Sequence, residues 1–277
     1  MAAILSSNQT YVRQITSWGK PASAPEHLTG AAGEFDLPVN EALLLIGHGS
    51  VRYPDAAAPL HRHAQALRNE GRVVEVAMLN GAPSTEMACG RLGSSAACVV
   101  PFFMEDGYFS KTALPRALQA AAPAIVARFT PAIGTNSGMA AIIERQALAA
   151  STALGVPPAR SAVVVIGHGS ASTPGRALAL HRHCASVAEA GLFATVQPAC
   201  LEESPFVADV LAKLRDRPTV VIGYFANQAS HVLVDVPALL RAEAAARGTA
   251  GAPVRFHACV ADDPAIADII AEQAALR

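Results

Sequence analysis

The chain has no Cys-x-x-Cys pair, and its five cysteines, at 89, 98, 184, 200 and 259, are odd in number and scattered. That usage argues against a disulfide framework or an iron–sulfur centre and predicts reduced, mostly buried thiols. It also lacks an excess charge of either sign. Lys and Arg total 21 against 22 Asp and Glu, a net charge of −1, which leaves no electrostatic footprint for nucleic acid or an anionic membrane. No apolar run reaches the ~18 residues that span a bilayer. Residues 1–18 do not show a charged segment followed by a long apolar stretch, so no secretory leader is expected and the expected location is cytoplasmic. A phosphate-binding G-x-x-x-x-G-K-[ST] loop is absent, as is the G-x-S-x-G elbow of serine hydrolases.

What is present is a repeat. Leu43-Leu44-Leu45-Ile46-Gly47-His48-Gly49-Ser50 returns as Val163-Val164-Val165-Ile166-Gly167-His168-Gly169-Ser170, and Leu60-His61-Arg62-His63 returns as Leu180-His181-Arg182-His183. The shift is a constant 120 residues (48 to 168, 61 to 181). That period is a whole small domain and too long for a solenoid unit. With 52% hydrophobic and 16% charged residues, there is core enough for two domains. Residues 1–37 have no counterpart in the second half and form an extension. The repeats run over 38–155 and 160–277, with Val156-Pro157-Pro158-Ala159-Arg160 as the linker between them.

Each half alternates apolar β-type runs with helical patterns, the signature of βαβ units and a parallel sheet. The expected strands are Leu43–Gly47, Val73–Leu79, Ala97–Phe103 and Ile125–Phe129, then Val163–Gly167, Ala194–Leu201, Thr219–Phe225 and Val254–Cys259. Their continuous apolarity predicts sheets covered on both faces. Ala57, Leu60, Ala64 and Leu67, with their twins Ala177, Leu180, Cys184 and Val187, follow helical spacing. Ser204-Pro205 and Asp263-Pro264 read as an N-cap followed by a first-turn proline. The predicted fold class is α/β: two tandem doubly wound parallel-sheet domains related by a pseudo-twofold, with ligands in the crevice beyond the strand ends.

His48 and His168 end equivalent strands between glycines, which let the backbone turn tightly beside a ligand. Ser50 and Ser170 can bond a polar substrate or cap the next helix. Aligning Pro115 with Pro237 and Pro83 with Pro205, a shift of 122, sets His231 opposite Phe109, Asp235 opposite Ala113 and Glu202 opposite Asn80. The second half thus carries His168, Glu202 and His231, each just beyond a different strand. Parallel strands lie ~4.8 Å apart, so these three can converge on one divalent metal with positions left open, and the imidazoles can accept protons near neutrality.

The order Gly167-His168-Gly169-Ser170, Leu201-Glu202 with Pro205, and His231-Val232-Leu233-Val234-Asp235-Val236-Pro237 resembles the class II tetrapyrrole chelatases of the sirohydrochlorin cobalto-/ferrochelatase (CbiX/SirB) family. The resemblance covers about residues 40–277. It implies ATP-independent insertion of Co²⁺ or Fe²⁺, with Ni²⁺ admitted, into sirohydrochlorin or a related tetrapyrrole, on the routes to cobalamin or sirohaem. His168 and His231 would bind the metal and take up pyrrole protons, and Glu202 would assist. Only the second half is complete, an arrangement more like the protoporphyrin ferrochelatases. His48, Ser50, Ser170, Arg52 and Arg176 are the expected substrate-binding residues, with Arg62, Lys111, Arg116 and Arg182 as further candidates for a basic rim facing the substrate carboxylates. The expected partner is the tetrapyrrole, with a homo-oligomer admitted and nucleic acid and membrane excluded.

The other reading of the altered first half is a non-catalytic protein of this type that binds, delivers or senses metal or tetrapyrrole. His61 and His63 are i, i+2 on a helix and lie on different sides, so these and His181 with His183 read as boundary histidines. His257 and Cys259 alternate on a strand and are expected to face the same way.

Overall fold

The computed structural model describes residues 41–228, 231–248 and 251–276, all within one compact unit; the 1–37 extension lies outside them. The first half contains β1 (Ala42–Gly47), α1 (Ala58–Asn69), β2 (Val74–Met78), α2 (Thr85–Leu92), β3 (Ala96–Phe102), α3 (Leu114–Ala121), β4 (Val126–Phe129) and α4 (Met139–Ala153). The second half contains β5 (Ala162–Gly167), α5 (Leu178–Glu189), β6 (Thr195–Cys200), α6 (Val207–Ala212), β7 (Thr219–Gly223), α7 (Val236–Arg247), β8 (Val254–Cys259) and α8 (Ile266–Ala275). All pairings are parallel, in the orders β2-β1-β3-β4 and β6-β5-β7-β8. The α/β fold class and both four-stranded sheets expected from the repeat are present.

Continuous apolarity identifies the central strands because both their faces are covered. Every residue of β1, β5 and β7 is buried. The edge strand β4 is half exposed. The stripe Leu60, Ala64, Leu67 on α1 and its twin on α5 are buried as expected.

The two halves exchange their last helices. Helix α4 closes the first half in sequence, yet it packs on α5, β7 and β8, and α8 packs on α1 and β3. One apolar core therefore runs through both inner sheet faces, joining Leu43, Leu45 and Val100 to Val163, Val165 and Ile222. Each outer face has its own smaller core, under α2 and α3 or under α6 and α7. The cross-contacts are reciprocal. Arg128 on β4 donates to the carbonyls of Ala274 and Leu276 at the end of α8, at 2.6 and 2.8 Å, and Arg255 on β8 donates to Ala153 O at the end of α4, at 3.3 Å. Reciprocity of this kind is what a twofold relation produces, and the cationic side chains meet the negative ends of the helices they hold.

The repeated histidines seal this interface. His63 and His183 are 3% and 1% exposed. His63 Nε2–H donates to Ala261 O and His183 Nε2–H to Gly134 O, both at 2.7 Å, each reaching into the other half. Beside them Arg62 pairs with Asp262 at 2.6 Å and Arg182 donates to Thr135 O at 2.7 Å. Burial pushes the pKa of both histidines down from 6.5. They are neutral in the fold, whereas in the unfolded chain they titrate near 6.5. Stability is therefore full above that pH and falls as pH drops from it towards the folded pKa values, because the unfolded chain takes up protons first. Urea unfolding at pH 7.5 and 5.5 checks this. The wild type should be less stable at the lower pH, and a His63→Gln/His183→Gln variant, which keeps the donors without titrating, should show a flatter difference.

Two local expectations are corrected. Ser204-Pro205 does not start a helix. Its peptide bond is cis, Pro205 O accepts from Cys200 N, and α6 begins at Val207 behind an extended Phe206. His257 and Cys259 do not share a side, since His257 is exposed and Cys259 buried. The register steps from Val221↔Phe256 to Gly223↔Cys259, so β8 carries an extra residue and the alternation breaks at the bulge. At Asp263-Pro264 the carboxylate accepts from Ala265 N at 3.1 Å just before α8.

Candidate metal centre at the second-half strand ends

Beyond Gly167 the chain turns through His168 into Gly169, whose φ of +72° a side chain would strain. A Cβ there would also come within 2.7 Å of Glu203 Cγ and 2.9 Å of Cys200 Cβ. Ser170 Oγ then accepts from Thr173 N at 3.1 Å, as Ser50 Oγ does from Tyr53 N at 3.1 Å. These serines pin the loop rather than cap a helix. The turn holds the His168 ring over the end of the central strand β5.

His231 arrives from beyond β7 on a π-helical turn, His231–Asp235, that leads into α7. The i,i+4 spacing brings Asp235 Oδ2 to 2.8 Å from His231 Nδ1. Its ring lies 19° from parallel with Phe225, centroids 6.4 Å apart. His168 Nε2 and His231 Nε2 are 3.0 Å apart, with the rings nearly perpendicular at 87°.

The outer partners decide the tautomers. Gly169 O lies 3.0 Å from His168 Nδ1, and a carbonyl can only accept. The Asp235 carboxylate likewise accepts from His231 Nδ1–H. Both Nε2 atoms are left with lone pairs aimed at a shared region. Two facing lone pairs at 3.0 Å call for a cation between them, either a proton or a metal. Bonds of ~2.1 Å to two nitrogens at this separation subtend about 90°, the angle between neighbouring ligands of an octahedral ion. Burial, and then the His168 ring, lower the His231 pKa against the pull of Asp235, which favours the neutral, metal-binding form.

The expected trio does not converge on one point. Glu202 Oε2 lies 3.7 Å from His168 Nδ1, on the edge of the ring away from His231. Among the described residues no group of three or more His, Cys, Asp or Glu side chains surrounds one cation position. The strand order explains this: β5 lies between β6 and β7, so Glu202 and His231 flank His168 from opposite sides. The third residue at the site is Asp235, which the sequence placed in the His231–Pro237 motif without giving it a role. Its signal was its place four residues after His231, the spacing at which side chains on one helical turn meet. Asp235→Asn should leave the fold intact and lower metal affinity by about 10–100-fold, the usual cost of losing such an outer partner. Titration with Co²⁺ checks it.

The first half keeps the architecture with a phenylalanine in place of the second imidazole. Phe109–Ala113 is the matching π-helical turn. Phe109 stands where His231 does, edge-on to His48 with centroids 4.7 Å apart and stacked against Phe103 at 6.2 Å. The Asn80 amide lies 3.3 Å from His48 Nδ1. Of the basic residues, Arg52 lies over Tyr53, with 5.5 Å to the ring centroid, Arg176 is exposed, and Lys111 pairs with Asp106 at 3.2 Å. Arg62 and Arg182 are engaged at the interface between halves. The cysteines are unpaired with each other, and four of the five are buried. Burial pushes Cys184 and Cys259 up to about 12 and Cys98 and Cys200 to about 11, so these thiols are inert at neutral pH.

Two parallel four-stranded sheets of one duplicated α/β design, with a facing imidazole pair at one set of strand ends, define the class of this protein as a tandem-domain α/β fold. The chain belongs to the CbiX family, whose model matches residues 42–150 and 162–276. It is 26% identical over 268 residues to a probable sirohydrochlorin cobaltochelatase of Halobacterium salinarum, covering 85% of this chain and 91% of the relative. A solved CbiX, the terminal enzyme for sirohaem biosynthesis in denitrifying bacteria, is 29% identical with a TM-score of 0.67, covering 86% of this chain and 100% of that one. A multi-domain Deinococcus radiodurans protein with structural similarity to chelatases and two additional domains is 25% identical with a TM-score of 0.73. That match covers 85% of this chain, which spans only 55% of the Deinococcus protein. Among the described residues no helix is long and apolar enough to cross a membrane.

Proposed function

We propose that this protein inserts a divalent metal, Co²⁺ or Fe²⁺ with Ni²⁺ admitted, into sirohydrochlorin or a closely related tetrapyrrole without ATP, for cobalamin or sirohaem synthesis. The observation that carries the reading is the pair of Nε2 atoms 3.0 Å apart with both Nδ1 positions tied to acceptors. His168 and His231 bind the incoming metal by two bonds only, so the remaining positions stay open to the ring nitrogens and the ion can leave. Insertion displaces two pyrrole protons. As the metal departs, the freed imidazoles become bases beside the macrocycle. Glu202, at the Nδ1 edge of His168, stabilises the imidazolium that forms. His48, Ser50, Ser170, Arg52 and Arg176 contact the substrate. On this reading residues 160–277 carry the working site, residues 38–155 a degenerate one, and the enzyme acts in the cytoplasm.

The test is the anaerobic absorbance of sirohydrochlorin with Co²⁺ and, separately, Fe²⁺ at catalytic protein concentration. Many turnovers per chain are expected. A spectral change that stops at one equivalent would instead favour a protein that binds or delivers its ligand.

A further inference from the structure

The loops beyond β2 and β6 are built alike. Met78 N donates to Pro83 O and Cys200 N to Pro205 O, both at 2.8 Å, while Asn80 N donates to His48 O at 2.8 Å and Glu202 N to His168 O at 2.9 Å. They diverge at the next residue, Glu203 in the second half and Gly81 in the first. Glu203 is 4% exposed. Its Cγ lies against Gly169, Oε2 accepts from Gly175 N, and the buried Oε1 has no hydrogen-bond partner among the described residues. The second half thus fills the space between its two loops with a two-carbon arm ending in a carboxylate.

Gly81 supplies no arm, and the same region of the first half is a cavity of about 230 Å³. Its walls include Val51, Ala57 and Met78, which suit methylenes, and Ser50 and Asn80, which suit a polar end. The Ser50 oxygen already accepts from Tyr53 N, so its hydroxyl hydrogen is left to donate. No acidic side chain lines the cavity. Ala56, next to the lining residue Ala57, accepts from Gln228 N at 3.4 Å, a contact with the second half.

We propose that this cavity is a substrate subsite that takes a propionate-length carboxylate arm of the tetrapyrrole, in the place where Glu203 lies in the second half. The proposal rests on the tetrapyrrole reading above. It gives the degenerate half a purpose: the first half grips the macrocycle's arm while the second handles the metal. A direct Gly81→Glu change would be strained at φ +111°, so the cavity is better filled from Ala57 and from Ala82, which lines the exposed rim.

The experiment is a fluorescence titration of metal-free sirohydrochlorin against wild type, Ala57→Leu and Ala82→Leu, with a parallel Co²⁺ titration. Both variants should bind sirohydrochlorin about tenfold more weakly and Co²⁺ as wild type does. Sodium propionate, and not propionamide, should compete with sirohydrochlorin in the wild type and lose that effect in the variants. Ala82→Leu sits on the surface and keeps the test open if Ala57→Leu disturbs α1. Unchanged sirohydrochlorin affinity in the folded variants, or equal competition by propionamide, would overturn the subsite. A wild type that binds sirohydrochlorin without metallating it overturns the chelatase reading alone; one that does not bind it overturns both.

Discussion

Replacing His231 with alanine is expected to lower the rate of metal insertion by about 10³-fold, within the range by which a positioned acid or base accelerates proton transfer. On the proposed mechanism the change removes one of two metal ligands and one of two bases. His168 Nε2 would keep its lone pair but lose the nitrogen that faces it at 3.0 Å. Stability should change little, because His231 and the Asp235 carboxylate it bonds on its own turn are both partly exposed. Stopped-flow or steady-state metallation, read beside a thermal melt, checks both halves of the statement. A folded His231→Ala protein turning over at the wild-type rate would remove the imidazole pair from the mechanism.

The second large effect is structural. Gly134→Ala should destabilise the protein by about 3 kcal/mol, at the upper end for overpacking, and lower the melting temperature by roughly 6–12 °C for a chain of this size. A Cβ at Gly134 would fall 2.2 Å from Met104 O and 2.4 Å from Met104 Cα. These are backbone atoms and cannot swing away. The Gly134 carbonyl is also where the halves are tied, accepting from His183 Nε2–H and from the buried Tyr224 hydroxyl. Any shift that relieves the clash pulls on both donors. Calorimetry decides the matter, and a melt within 2 °C of wild type would show that the Met104 segment yields easily.

Much of this was legible in the sequence. All eight strands lie within two residues of the expected runs, because a strand covered on both faces cannot afford polar residues and so announces itself. The opposition of His231 to Phe109 followed from aligning two prolines, and the matching π-helical turns bear it out. What the sequence could not convey were relations that depend on spatial order. Nothing in the apolar pattern tells that β5 sits between β6 and β7, and that single fact sends Glu202 to the far edge of His168. Nor does helical spacing reveal which sheet a helix will cover. Read alone, α4 belongs with the strands before it, and His63 and His183 look like the margins of a stripe rather than a seal between halves.

The exchange of α4 and α8 carries a consequence for how such a molecule could come apart or arise. A fragment cut between the repeats would leave one sheet bare on its inner side and carry away a helix with nowhere to lie. Two copies of the same fragment could repair each other by trading that helix, so the half-length unit is naturally a pair. Joining the pair into one polypeptide guarantees the partner and frees the two members from remaining identical. Once they were fused, one imidazole could be lost from the first member without the other member losing its own.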